Sequence, residues 1–309
     1  MNADRAKIMA TRSLEEAVKE LFGLDSNGRI CIFNQEAMTG SVASEYDELG
    51  KSERQETYKR LAEDFKRRTE CYGINHPATS MNVGSIIEVG CGSGLLTLEL
   101  AEQTNGDIIG LDLSEDMLHL AKENLTRRSN KKVEEIKTFW KRIPEYCKPT
   151  DKEHQKVDET PPLLDRIRFV KGSVYDLQST LTDLYHADYI VCRNVLHRFQ
   201  HPEKALKQMY QTLSPNGKLY LRDLRRDANW QNILERIGEK RWQTQTLVED
   251  YIKAMAGMFT IRELEETLKY LGITNFKITD GVYVGGVIKN QDNIKEYEKE
   301  TEYVCIIQK

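Results

Sequence analysis

The stretch Ile86-Ile87-Glu88-Val89-Gly90-Cys91-Gly92-Ser93-Gly94-Leu95 restricts what this chain can fold into more than any other. A short apolar run breaks into three glycines at alternate positions. It then passes into the helical pattern Leu95-Leu96-Thr97-Leu98-Glu99-Leu100-Ala101. Strand, tight turn and helix N-terminus in that order make a place for a ligand, because the helix start presents unpaired N–H groups and a partial positive charge. Glycine suits the turn because a side chain would hold a ligand off the backbone. A dinucleotide turn would read G-x-G-x-x-G, whereas here the spacing is G-x-G-x-G and the sixth position is Leu95. After about 20 more residues a second apolar run, Ile108-Ile109-Gly110-Leu111, ends in Asp112, placed to accept hydrogen bonds from both hydroxyls of a ribose.

Around this motif strand and helix patterns alternate, the signature of a parallel sheet with helices on both faces. Strands are expected near Ser85–Val89, up to Asp112, within Ile167–Leu177 (with its exit loop), within Asp188–His197 (with its end), and over Lys218–Leu221. Ser114 can cap a helix running through Met117, Leu120, Ala121 and Leu125. A further helix carries Ala205, Leu206, Met209 and Leu213, and a helical stretch follows from about Trp230 to Met255. Thr260 and Glu263 form a capping box for a helix that stops at Gly272. Asn275–Ile278 and Glu302–Ile307 complete the strands, leaving the connection from Gly281 to Lys299 unassigned.

Residues 1–80 precede the core and read as a helical cap, with residues 81–309 as the main domain. Within the cap, Ser13-Leu14-Glu15-Glu16 is one capping box, and Ser52 with Gln55 is another, opening a helix to about Arg68. Ile30-Cys31-Ile32-Phe33 is a short strand or a loop anchor. An insertion spans about residues 126–162. It starts with Arg127-Arg128, Lys131-Lys132 and Phe139-Trp140-Lys141-Arg142, and ends in a polar, proline-containing tail. Basic residues interleaved with aromatics suit RNA or an acidic partner, but also a solvated helix face. The net charge of −4 argues against a whole-protein footprint for nucleic acid. No apolar run approaches the roughly 20 residues that span a bilayer, and no signal-peptide core follows the first residues. Six cysteines without C-x-x-C spacing read as reduced thiols in a cytoplasm, not as disulfides or a metal site.

Glu88-Val89-Gly90-Cys91-Gly92-Ser93-Gly94, followed by Asp112-Leu113-Ser114-Glu115-Asp116-Met117, resembles the class I methyltransferases that use S-adenosylmethionine. Asn194-Val195-Leu196-His197 with Leu213-Ser214-Pro215-Asn216-Gly217-Lys218 resembles the ubiquinone-biosynthesis-like small-molecule group. The likeness covers about residues 83–225 well. It implies a Rossmann-like, seven-stranded, mostly parallel sheet with the last strand inserted antiparallel. It also implies a cofactor site from Glu88, Gly90, Cys91, Gly92, Asp112, Leu113 and Met117, with Met117 as adenine contact or core. Relatives place Gly-Asp-Ala after the third strand, where this chain has Gly172-Ser173-Val174; an adenine contact would come from Ser173 or from main chain near Val174. The Arg193 main-chain carbonyl would meet the cofactor's amino group. Tyr46, in Ala43–Leu49, resembles the Tyr-Asp segment that lies over the cofactor in relatives; it could equally be core.

Methyl transfer is a one-step displacement, so the protein mainly positions the acceptor and excludes water. His197 is the candidate base, having a side chain that titrates near neutrality, or else a structural histidine. Asp223 would orient or deprotonate a substrate, or pair with Arg222, Arg225 or Arg226. The Arg193 side chain would hold a substrate carboxylate, or make a salt bridge at the strand end. The acceptor expected is a small molecule or short peptide. An RNA or protein methyltransferase using the basic insertion, and a cofactor-binding partner protein without chemistry, stay open.

Overall fold

The computed structural model describes residues 37–71, 84–142, 163–182, 186–229, 244–281 and 301–309. The expected Ser13 capping box, the Ile30–Phe33 segment, the insertion tail from 143 to 162, the start of the stretch after Trp230 and most of the connection after Gly281 lie outside these residues.

Two helices precede the sheet, α1 (Gly40–Glu53) and α2 (Gln55–Thr69). Strand β1 (Ile86–Val89) runs through the glycine turn into α3 (Leu95–Gln103), and β2 (Ile108–Asp112) into α4 (Glu115–Arg142). Short α5 (Leu163–Arg166) leads into β3 (Ile167–Lys171), and α6 (Leu177–Thr180) precedes β4 (Ala187–Arg193). Then come α7 (Pro202–Thr212), β5 (Leu213–Leu224), α8 (Gln245–Ala256), α9 (Ile261–Tyr270), β6 (Phe276–Asp280) and β7 (Glu302–Gln308).

The seven strands form one sheet in the order β3-β2-β1-β4-β5-β7-β6. Pairings among the first five are parallel, and β7 lies antiparallel between β5 and β6. This is the expected Rossmann-like sheet with its antiparallel insertion. The central strand β1 is buried along its whole length, and its residues alternate between two cores. Ile87, Val89, Ile190, Cys192, Leu219 and Leu221 face α7 and α9. Ile86, Val191, Tyr220 and Val304 face α2, α3 and the start of α4.

Helix α2 is therefore a layer of the main body, since Tyr58, Leu61, Ala62 and Phe65 pack on the sheet in the second core. Phe65 meets Tyr189 and Tyr220 edge to face, at 5.8 Å between centroids in both cases. Helix α1 instead lies against α4 and α8, over the strand ends. The Ser52–Gln55 capping box does not form: Ser52 sits inside α1, where its hydroxyl donates to the Glu48 carbonyl, and no side chain caps α2. The Thr260–Glu263 box does form, in both directions. Ser114 accepts from the Met117 amide, as expected of a cap. The helix it opens is far longer than the pattern to Leu125, because residues 126–142 continue α4 without a break. Strand β5 is longer than the four residues expected, starting at Leu213 and reaching Leu224.

A buried polar network joins α2 to the sheet. The Asp64 carboxylate accepts from Arg68 Nε (2.9 Å) and the Tyr220 hydroxyl (2.6 Å), and lies 3.5 Å from Arg222 Nη1. Arg222, 1% exposed, also donates from Nε to Glu302 at 2.7 Å. Removing one partner of such a group strands a buried charge. Asp64→Ala should cost about 3–5 kcal/mol of folding stability, measured as a lower midpoint in urea unfolding with the same slope.

Candidate active site

The chain moves outward from β1 to β3, then returns to lay β4 on the other side of β1. Open α/β sheets bind ligands beyond the carboxyl ends of the strands at this reversal. A cavity lies there. Its floor is Glu88, Val89 and the Gly90–Ser93 turn; one side is Leu111, Asp112, Leu113 and Met117, and another is Gly172, Ser173 and Val174. Arg193, Asn194, Val195, Arg198 and Phe199 close the far side, and Met38, Tyr46 and Tyr58 cover it.

Two features of the turn need glycine. Gly90 has φ +70°, and a Cβ there would lie 2.6 Å from Val195 Cγ2. Gly92 has φ +54°, and a Cβ there would meet nothing but Met117 Sδ at 3.9 Å, so its face is open to a ligand. The Asp112 carboxylate accepts from the Gly92 amide (2.8 Å) and the Ser114 amide (2.9 Å). Burial raises its pKa above the usual range, and those amides oppose the rise. Glu88 is 3% exposed and accepts from the Thr97 hydroxyl at 2.5 Å. Burial pushes its carboxyl up to about 8, with Thr97 and Arg193 acting the other way.

The opposite end is basic and phenolic. Arg54 lies over the Tyr46 ring (5.3 Å) and Arg193 over the Tyr58 ring (5.4 Å). Burial opposes ionisation of Tyr46, but Arg54, Arg193, Arg198 and a hydrogen bond with Tyr58 hold its phenol below the ordinary tyrosine range. Burial and the neighbouring Tyr46 push Tyr58 to about 12. The Tyr46 segment is thus a helix that carries its ring to the cavity.

Of the residues expected at a cofactor site, Glu88, Gly90, Cys91, Gly92, Asp112, Leu113, Met117, Ser173, Val174, Arg193 and Tyr46 all line this one cavity. Cys91 is a buried thiol whose pKa burial raises well above its usual value. The Ser173 hydroxyl accepts from the Tyr175 amide. His197 and Asp223 are placed elsewhere. They are 4% and 1% exposed and do not line the cavity. Asp223 bonds His197 twice, to Nδ1 at 2.7 Å and to its main-chain amide at 3.1 Å. Nor does Asp223 pair with its arginine neighbours in sequence: Arg222 reaches Asp64 and Glu302, Arg225 reaches Asp227, and Arg226 reaches Glu263.

Among the lining residues that sequence reasoning did not single out are Tyr58, Arg198, Met38 and Asn194. Tyr58 shows only as an apolar position of α2, and Arg198 and Met38 carry no signal of their own. Asn194 does carry one, an asparagine directly after a strand. It adopts φ +52°, and its buried Oδ1 accepts no hydrogen bond among the described residues. An acceptor buried without a partner at a cavity wall fits a ligand that supplies a donor.

The glycine turn, the amide-fixed Asp112 carboxylate and the reversal of strand order thus meet at one cavity. The sequence profile described as "Methyltransferase domain" matches residues 35–277, and the chain belongs to that family. It is 30% identical over 128 residues to the demethylmenaquinone methyltransferase of Lactococcus lactis subsp. lactis (strain IL1403); the match spans 40% of each chain. The fold is similar to the plantazolicin methyltransferase BamL in complex with a triazolic desmethylPZN analog and SAH, with TM-score 0.60 and 13% identity over 96% of this chain and 97% of that one. It is also similar to the plantazolicin methyltransferase BpumL with SAH, with TM-score 0.55 and 16% identity over 98% of both chains. By family this is a methyltransferase domain, and its fold is like that of the two plantazolicin methyltransferases.

Glu88 makes a pH-dependent stability expected. Its folded pKa of about 8 exceeds the model-peptide value of 4.5, so its contribution is intact below 4.5 and is lost as pH rises through about 8. Glu88→Gln should therefore gain on the wild type in melting temperature between pH 5 and 9, with the gap levelling off at the top of that range.

Proposed function

We propose that the protein transfers the methyl group of S-adenosylmethionine to a small molecule or short peptide held in the cavity beneath α1. The observation that carries this reading is the amide-fixed Asp112 carboxylate beside the open face of Gly92. Asp112 would hold the ribose hydroxyls, Met117 and Val174 would flank the adenine, and Ser173 or nearby main chain would meet its edge. Main chain at Arg193 and the unpartnered Asn194 Oδ1 would accept from the amino group. When bound, S-adenosylmethionine supplies an electrophilic methyl on a sulfonium, so no metal or covalent enzyme intermediate is needed for transfer.

The protein's own part is binding, orientation and exclusion of water. Tyr46 and Tyr58 cover the site, and their hydrogen bond lets one phenol hold a proton while the other accepts it. Arg193 lies at the acceptor end, and Arg198 beside it is paired with Asp250. His197 and Asp223 act through each other as a buried brace behind this wall and are not assigned to proton transfer. We keep the small-molecule or peptide acceptor over RNA because Arg128 and Lys131 of the basic stretch are engaged by Glu99, Glu102 and Glu135.

Calorimetric titration with S-adenosylmethionine and SAH tests the reading, and absence of binding by both would end it. Asp112→Ala should weaken SAH binding by tenfold or more, since a hydrogen-bonding carboxylate contributes about 1.5–3 kcal/mol. His197→Asn should instead lower the melting temperature and leave SAH affinity within about twofold, a residue outside the cavity contributing fold stability and no ligand contact.

A further inference from the structure

The proposed transfer leaves one need unmet, since an acceptor that carries a proton must lose it. Among the described residues, the side chains of the cavity lining that can take a proton are Tyr46, Tyr58, Glu88, Cys91 and Asp112. Asp112, Glu88 and Cys91 belong to the ribose side and the floor. Asp112 is held by the Gly92 and Ser114 amides, Glu88 by the Thr97 hydroxyl, and the Cys91 thiol is 6% exposed. The two phenols belong to the cover.

Close contact places the phenols. Gly50 lies one turn after Tyr46 on α1, and a Cβ there would stand 2.5 Å from Leu95 Cδ1 and 3.4 Å from Tyr58 Oη. Glycine weakens a helix interior. At this position it lets α2 bring the Tyr58 hydroxyl against α1, where it hydrogen-bonds Tyr46. Helix α1 is fixed on both sides of the Tyr46 position: Thr244, just before α8, bonds Glu45, and Asn124 of α4 bonds Asp47 at 2.8 Å.

Charge favours one phenol over the other. Arg54 stands over the Tyr46 ring, and Arg193 of β4 and Arg198 after it also act on Tyr46. Arg198 is shared with Asp250 of α8, and Arg193 with Glu88 of β1. Burial opposes ionisation of Tyr46, but the three guanidinium groups and the Tyr58 hydroxyl outweigh it. Burial and the neighbouring Tyr46 hold Tyr58 protonated. Tyr58 is therefore the donor of the pair and Tyr46 the acceptor.

We propose that Tyr46 Oη takes the proton of the methyl acceptor, with Tyr58 as the residue that positions it. The proposal rests on the methyltransferase reading of the cavity. Tyr46 Oη accepts the proton from the acceptor's heteroatom, and the electron pair left on that atom bonds the methyl carbon. The carbon–sulfur pair stays on sulfur as a neutral thioether, and the Tyr46 phenol afterwards gives its proton to water. Proton transfer is most efficient between groups of matched acidity. A phenol-type base thus suits an acceptor of tyrosine-like acidity, a phenol, an enol or an ammonium, over an aliphatic alcohol or a carbon acid.

Tyrosinate absorbance of the full chain, followed as pH rises, reads the ionisation without any acceptor. One phenol should ionise ahead of the rest in the wild type, and that step should be missing from Tyr46→Phe. It should move to higher pH in Tyr58→Phe, which loses the hydrogen bond that favours the Tyr46 anion. Labelled methyl transfer is then measured on a panel of phenols, enolisable β-diketones, primary amines and aliphatic alcohols. Tyr46→Phe should lower kcat by about 10²–10⁴-fold and still bind SAH, because the ring remains. In Tyr58→Phe the acid limb of the pH–kcat profile should move up together with the absorbance step. The proposal is overturned by phenols that all ionise together in the wild type, or by an early step that persists in Tyr46→Phe. Unchanged kcat or lost SAH binding in Tyr46→Phe overturns it too, as does transfer confined to the alcohols or absent from the whole panel in a chain that binds SAH. Failure of the wild type to bind SAH removes the methyltransferase reading separately.

Discussion

Gly90 and Val195 approach so closely that a methyl group on the glycine would overlap the valine side chain. The site depends on this contact. It lets the loops leaving β1 and β4 meet at the reversal of strand order, so that Asp112, Asn194 and the glycine turn face one space. Asp112 then fixes the turn from the other side by accepting the Gly92 amide. The turn is held by packing on one flank and by a carboxylate on the other, and neither can shift without moving the cavity floor.

The cover is tied down by polar contacts as well as by packing. Asp64 on α2 reaches the sheet through Tyr220 and Arg222, and Asp47 on α1 is reached by Asn124 of α4. The Gly40 amide at the start of α1 donates to Asp116 at the start of α4. Burying such groups brings less net stability than apolar packing would, but each is satisfied at one register alone. A cover fixed this way places Tyr46 and Tyr58 over the cavity at a defined depth, which a greasy interface would leave free to slide.

Much of this was legible in the sequence, because the central strands are continuous apolar runs and the turn needs glycine at fixed positions. The alternation of strand and helix patterns implied a parallel sheet, and the antiparallel last strand came from resemblance. What escaped was long-range. Tyr58 reads as a core position, and it is one, but the helix also brings its ring to the cavity edge. Ser52 and Gln55 have capping-box spacing, yet Ser52 ends up inside the preceding helix, where it bonds Glu48. His197 sits just past β4 and Asp223 near the end of β5, where ligands bind, but they turn toward each other behind the wall. Local pattern sets an element; which side of it faces the ligand is decided by partners many residues away.

The antiparallel strand has a consequence for how the sheet comes together. β7 lies between β5 and β6 but follows both in the chain. Arg222 on β5 finds one carboxylate 158 residues earlier, on α2, and another 80 residues later, on β7. During synthesis β5 and β6 therefore emerge with the seat between them vacant and a buried arginine half-neutralised. The five parallel strands can associate as they appear, whereas the last two close only when β7 arrives. Until then the β5 edge offers unpaired main-chain groups to any extended segment nearby, and a chaperone that shields that edge would meet the protein at its most exposed moment.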